Sequence, residues 1–462
     1  MITESRCSFA TLTLLGCGLL LAAGCGDDDG GTNDVNNNNG MTVDAGVDGG
    51  TGESLDFIIL DSTYGANVGD DGTPLPLQGA RVAVDLPGGE RVELVSGADG
   101  KVTVDGIDWS LGNLSITAHI ADYVMVSYTN LDASLLADTT MYINNAIGMY
   151  LERLIPDVPE LQVTGTAIGL VDPAHRYQVN VLFTEHVGTE HDNVGGISSY
   201  TVEAPGGLPF TIQGIERDYV ESASEKGYDT TVYRVMQQEV AATSSASLVL
   251  DLDFEAYEVP TYTADASMFL PADPNSTLRD GRGSAFVCSA NSLYCFGWAS
   301  HIDVSADGSY YDVDLVYTQP ALADTVYTVF RIINFDTWEF SMATVLGFPD
   351  ANLPDVTLLE PPQWITPADP LVAHPVHETM ELDSTDGLDG EWFYIQRNGR
   401  TIWRVGAGTD RTAITVPAAP SSVNENQFLG TSFTGYVVGL VFHEEESIAS
   451  HYLRSQFIRL TH

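Results

Sequence analysis

The densest run of metal-ligating residue types is Glu185-His186-Val187-Gly188-Thr189-Glu190-His191-Asp192, with two imidazoles and three carboxylates in eight residues. His186, Glu190 and His191 are the candidate ligands of a zinc or copper ion, which imidazole nitrogen with a carboxylate suits. The histidines stand five apart, however, whereas a helix brings residues four apart onto one face. An acidic loop in an acidic chain explains the same residues without a metal. His374 and His377 form a thinner set, because His377-Glu378-Thr379-Met380-Glu381 lacks the second histidine of a zincin helix. Calcium fits the oxygen-rich composition better, and Asp383, Asp386, Asp389 and Glu391 would be its donors; their spacing matches no EF-hand, and a turn of solvated carboxylates is the simpler reading. No cofactor is therefore expected. Asp251 and Asp253 fall on the polar face of a strand, His119 likewise, and His443 precedes three glutamates in a charged turn. Gly430, Ser432 and Gly435 have the wrong spacing for a nucleophile elbow, and neither a phosphate loop nor a dinucleotide fingerprint occurs.

Two cysteines, Cys288 and Cys295, remain once the N-terminal leader is set aside. They flank an Asn/Ser-rich turn between two strand-like runs, which suits one local disulfide in an oxidising compartment. Zinc would need two more soft ligands, and a redox pair is more often spaced Cys-x-x-Cys.

Residues 1–24 carry Arg6 and then an apolar run over 9–23, short for a membrane span and suited to a signal h-region. The run ends in Leu21-Ala22-Ala23-Gly24-Cys25, which resembles the lipobox of bacterial lipoproteins. The resemblance implies cleavage between Gly24 and Cys25, a thioether-linked diacylglycerol on Cys25 and acylation of the new amine, making membrane lipid the partner. It also implies an extracytoplasmic address, at the periplasmic face or the cell surface of an outer membrane. An ordinary signal peptide cut near Ala23 is the alternative. Residues 26–54 are rich in Gly, Asp and Asn, with hardly any large apolar residue and no aromatic. As a flexible coil of about 29 residues they reach roughly 30 Å.

The chain has 462 residues with 18 Lys+Arg against 64 Asp+Glu, a formal charge of −46. That field repels phosphate backbones and excludes nucleic acid as the main partner. Hydrophobic residues make up 44%, enough for buried cores.

What must position all of these groups is β-structure. Val82, Val84 and Leu86; Leu114, Ile116, Ala118 and Ile120; Tyr177, Val179, Val181 and Phe183; Leu248, Leu250, Leu252 and Phe254; and Tyr311, Val313, Leu315 and Tyr317 each alternate with mostly polar residues. Such a period of two puts one side in a core and the other in water. Residues 145–155 and 233–242 offer the only helical patterns. The fold class is all-β, with tandem antiparallel β-sandwich (Ig-like or transthyretin-like) modules after a disordered linker. Proline-bearing joints place them at 55–158, 159–255, 256–359 and 360–462.

Pro76-Leu77-Gln78-Gly79-Ala80-Arg81-Val82, the Gly97-Ala98-Asp99-Gly100 turn and the run from Leu114 to Tyr123 resemble the carboxypeptidase regulatory-like domain. That resemblance implies a transthyretin-like sandwich that binds or spaces and carries no catalytic residue. The 360–462 segment is similar to fibronectin type III or Ig-like sandwiches, with Asn398-Gly399 as a hairpin turn. Two functions fit. One is a lipid-anchored, non-enzymatic surface protein serving adhesion, ligand binding or spacing toward an extracellular protein or polysaccharide. The other is an extracytoplasmic carbohydrate-binding accessory or metal-dependent hydrolase, with an inter-module site built from Tyr294, Trp298, Tyr310 and Trp338 or from the His186/His191 loop.

Overall fold

The computed structural model describes residues 52–61, 74–133, 142–143, 146–152, 160–183, 186–193, 198–207, 210–221, 228–241, 243–256, 261–273, 275–289, 295–318, 326–349, 353–383, 388, 390–398, 400–407, 412–430, 433–442 and 448–461. Among them the fold is all β. The described α-helix is the short Glu425–Leu429, capped where Asn424 Oδ1 accepts from the Gln427 N–H at 3.2 Å.

Each alternating run buries its apolar side. In the first sandwich Phe57, Ile59, Val82, Val84, Val102, Val104, Leu114 and Ile116 share one core. One sheet pairs Glu53–Asp61 with Leu75–Pro76, Lys101–Ile107 and Ala146–Leu151; the other holds Arg81–Asp85, Arg91–Val95, Leu114–His119 and Met125–Leu131. The Asp99-Gly100 turn is thus a crossover between sheets and not a hairpin, since Arg91–Val95 pairs with Arg81–Asp85 and Lys101–Ile107 with Glu53–Asp61. Gly100, at φ 74°, still supplies the left-handed corner, and its carbonyl accepts from the Ile59 N–H at 2.9 Å. A second core gathers Leu161, Val163, Tyr177, Val179, Val181, Tyr200 and Phe254. A third joins Ala264, Met268, Val287, Tyr311, Val313, Leu315 and Phe330, and a fourth Met380, Phe393, Trp403, Val437 and Ile458.

Both helical readings give way to strands. Residues 233–242 fall largely within Tyr228–Val240, which pairs along its length with Phe210–Glu221. Residues 145–155 contain Ala146–Leu151, which runs parallel to Glu53–Asp61. In both, long-range ladder hydrogen bonds outweigh a weak local preference.

The sandwiches are not separate beads. Phe340–Leu346 of the third pairs antiparallel with Ile448–Arg454 of the fourth, and Arg400–Ala407 of the fourth pairs parallel with Met125–Leu131 of the first. One sheet thereby continues through three cores. Val326–Ile333 is buried at every position: Val326, Phe330 and Ile332 enter the third core, while Tyr327, Val329 and Ile333 enter a fifth with Tyr394, Tyr436, Val438 and Tyr452. The first and fourth sandwiches are further tied by Trp403 Nε1 donating to Ser127 Oγ at 2.9 Å, by an ion pair of Arg404 with Glu152, and by Arg91 Nη2 donating to the carbonyls of Ala418 and Ala419.

Candidate functional site

The sequence-derived metal residues do not form a loop. His186, Glu190 and His191 lie on strand His186–Asn193, opposite Phe183, Asn180 and Val179 of Arg176–Phe183; their side chains lie outside the described residues. Cys25, Asp386, Asp389, Tyr294 and His443 also lie outside them. Among the described residues no group of three His, Cys, Asp or Glu side chains is placed to hold a metal. No described helix is long and apolar enough to cross a membrane.

Several candidate groups serve the fold. His377 has both ring nitrogens engaged, Nδ1 2.9 Å from the Val416 carbonyl and Nε2 3.2 Å from Glu425 Oε1. The hydrogen bond to Glu425 raises its pKa above the usual histidine value. His374 is half-buried on a strand parallel to Ile458–Thr461. His119 lies on the strand face it shares with Ser115 and Thr117, opposite core residues Leu114, Ile116 and Ala118, but that face is covered: the ring packs edge-on to Phe428 at 5.5 Å, and burial lowers its pKa. Asp251 Oδ1 accepts from the Thr166 N–H at 2.9 Å, and Asp253 Oδ1 from the N–H groups of Glu255 and Ala256. Glu391, expected in a solvated turn, is 1% exposed.

Sequence reasoning passed over two polar clusters. Glu216 is fully buried and accepts from the N–H groups of Val171 and Asp172, while its Oε1 lies 2.8 Å from His175 Nδ1. The His175 ring stacks on Tyr233 with centroids 4.1 Å apart. This fixes the turn after Glu160–Ile168. The other cluster is the fifth core, where stacked Tyr394 and Tyr436 (5.3 Å) surround arginines. Burial pushes the Tyr394 and Tyr452 phenols well above their ordinary pKa and lowers that of Arg404.

Among the described non-glycine residues at positive φ, the one bulky aromatic lies in the 334–339 loop of the third sandwich. Trp338 sits at φ 62°, a left-handed conformation that costs a bulky residue roughly 1–2 kcal/mol. Its N–H donates to the Asn334 carbonyl at 2.7 Å, and its carbonyl accepts from Arg454 Nε and Nη2 at 3.0 and 2.7 Å. Asn334 Oδ1 accepts from the Asp336 N–H, and its Nδ2 donates to the Thr277 carbonyl. The buried Glu339 carboxylate accepts from Thr277 and Thr337 hydroxyls and from Gln363 Nε2. So held, the loop sets Phe335 and Trp338 edge-to-face at 5.7 Å, 37% and 36% exposed, with the exposed Arg282 guanidinium 5.7 Å from the Phe335 centroid. Nearby carboxylates close their own turns: Asp273 Oδ1 accepts from the Asn275 N–H, and hydroxyls of Ser309 and Ser305 hold Asp307 down to about 2. Of the four aromatics read from the sequence, Trp338 alone belongs to this loop; Tyr310 packs on Phe269 at 5.3 Å, and the side chains of Tyr294 and Trp298 lie outside the described residues. An isolated aromatic pair in a polar turn was the available signal.

No family model matches the chain, and no curated protein matches it. Among solved structures, the Bacillus anthracis TIE protein is 10% identical with a TM-score of 0.16; the match covers 67% of this chain and 50% of that one. The chain thus spans about half the length of that protein. The shaft pilin SpaA from Lactobacillus rhamnosus GG is 9% identical, TM-score 0.15, matching 44% of this chain and 98% of its own. A DUF3823 family protein from Parabacteroides merdae is 8% identical, TM-score 0.13, over 66% and 100%.

Proposed function

We propose that this chain is a lipid-anchored, non-enzymatic surface protein of an outer membrane that serves adhesion, ligand binding or spacing. Acyl chains on Cys25 hold it, and residues 26–54 keep the sandwiches off the headgroups. The observation that carries the reading is the sheet running through three cores: edge-to-edge pairing at Phe340–Leu346 with Ile448–Arg454 and at Arg400–Ala407 with Met125–Leu131 makes a stiff body, suited to holding a surface at a distance. Among the described residues, Glu216, Glu339 and His377 are engaged in closing turns and in pairing. Each buried CH₂ of an acyl chain contributes about 0.8 kcal/mol, so two or three chains anchor durably where one is marginal. Cys25→Ala is expected to move the protein from the membrane pellet to the soluble fraction and to abolish incorporation of an alkynyl fatty acid. Equal membrane association of the variant would end the anchor reading.

A Cys288–Cys295 disulfide is part of the same proposal. The register sets the two cysteines opposite each other on Arg282–Ser289 and Cys295–Val304, and Cys288 is buried. Peptide mapping without reductant is expected to recover one linked peptide pair, and two free thiols would refute the bond. Its small loop makes the loss on reduction about 2–3 kcal/mol, concentrated in the 256–359 module, where Cys288 lines the fifth core.

A further inference from the structure

We propose that the 334–339 loop is a glycan-binding site, in which Phe335 and Trp338 receive the C–H face of a neutral pyranose chain and Arg282 donates to its hydroxyls. The inference rests on the ligand-binding role proposed above and gives that role its ligand class. A ring's negative face complements the partial positive charge of sugar C–H groups, and Phe335 and Trp338, set edge-to-face at 5.7 Å, present part-exposed ring surface beside the Arg282 guanidinium that lies over Phe335. The backbone argues for a purpose: a left-handed Trp338 is an unfavourable choice for a turn, yet the buried Arg454, Asn334 and Glu339 all act to keep it there. That network fixes the backbone and leaves the rings outside, so little ordering is needed on binding.

The ligand class follows from size and charge. Two partly exposed rings and one guanidinium make a patch far below the roughly 800 Å² that each partner gives a stable protein interface, while they match one to three sugar units. The formal charge of −46 disfavours polyanionic glycans. Asp273 and Asp307 are engaged with their own turns, and Asp336, exposed within the loop itself, adds an acceptor for sugar hydroxyls beside the two rings and Arg282.

The test is calorimetric titration of the full chain in detergent with cellohexaose, xylohexaose, mannohexaose, maltohexaose and N-acetylchitohexaose, beside heparin as a polyanion. Trp338→Asn removes the ring and keeps a residue that tolerates positive φ, so its thermal midpoint is expected to equal or exceed that of the parent. Binding of at least one neutral hexasaccharide is expected to fall at least about tenfold in Trp338→Asn and to fall in Phe335→Ala. The proposal is overturned if no neutral hexasaccharide binds at millimolar concentration, if Trp338→Asn binds as the parent does, or if heparin is preferred. Attachment of cells to fibronectin- and collagen-coated surfaces separates the two readings. Attachment without sugar binding removes the glycan site and keeps adhesion, whereas neither activity removes both and leaves spacing.

Discussion

Arg454→Met is expected to lower the stability of the fused sandwiches by about 3–5 kcal/mol, seen as a fall of roughly 10 °C in the thermal midpoint. Arg454 ends Ile448–Arg454, where it stands opposite Phe340 on one side and Val438 on the other, so it lies on the seam between the third and fourth cores. Its guanidinium lies 4.4 Å from the Phe340 centroid, 5.1 Å from Phe457 and 5.5 Å from Tyr436, and two of its nitrogens donate to the Trp338 carbonyl. Desolvated cation–π contacts contribute up to about 2 kcal/mol, and hydrogen bonds from a charged donor about 1.5–3 kcal/mol. Methionine fills a similar volume and makes neither. It also strips the donors from a carbonyl held in a strained turn, so amide exchange across 334–339 should accelerate together with the global loss. Arg454→Lys is expected to recover less than half, since an ammonium cannot present two planar donors to one carbonyl while covering three rings. A loss below about 1 kcal/mol for Arg454→Met would show that the seam is held by apolar packing alone.

The seam was invisible in the sequence because it is made by strands far apart in the chain, and alternation reports only whether a face is buried, not by what. The run through Tyr311 was legible for that reason, with Asp312 and Asp314 exposed opposite it, and the runs through Val82, Leu114 and Tyr177 because their second faces carry polar residues such as Arg81, Thr117 and Asn180, although Thr117 and Asn180 are themselves buried. Val326–Ile333 breaks the pattern with apolar residues on both faces, and a strand buried on both faces implies a second layer. Only Thr328 and Arg331 interrupt it; Arg331 Nε donates to Ser284 Oγ at 3.1 Å, and its guanidinium lies 5.1 Å from Phe286. The mistaken helices at 145–155 and 233–242 fail for the complementary reason, that ladder partners distant in sequence decide short amphipathic segments. The 334–339 loop could be flagged as two aromatics in a polar turn but not as a site, because Arg454 and Gln363, which hold it, come from a different sandwich. His377 and Glu391 show the same limit from the other side: residue type suggested ligands, but both ring nitrogens of His377 are engaged by the fold and Glu391 is buried.

Gly165→Ala is expected to cost about 3 kcal/mol or more while leaving the fused sandwiches intact. A Cβ at Gly165 would stand 1.8 Å from the Leu250 carbonyl oxygen, 2.6 Å from its carbon and 2.9 Å from Tyr200 Cε1. No flexible side chain can yield there, because the obstruction is backbone. Leu250 is also tied on both sides: its N–H donates to the Thr164 carbonyl at 2.9 Å, its carbonyl accepts from the Tyr200 hydroxyl, and Asp251 Oδ1 accepts from the Thr166 N–H. Those bonds explain the gap between the parallel pairings of Glu160–Ile168 with Ser247–Val249 and with Leu252–Asp253, where the chain bridges across the glycine. Opening that bridge exposes the second core at Val163, Tyr200 and Leu252. Amide exchange should therefore accelerate in 160–168, 199–205 and 247–253, while the strands around Arg454 keep their protection, since the second core shares no residue with the seam core. Unchanged protection in all three segments would mean that the bridge at Leu250 moves aside, and the close passage over Gly165 would then not be what holds this sandwich in register.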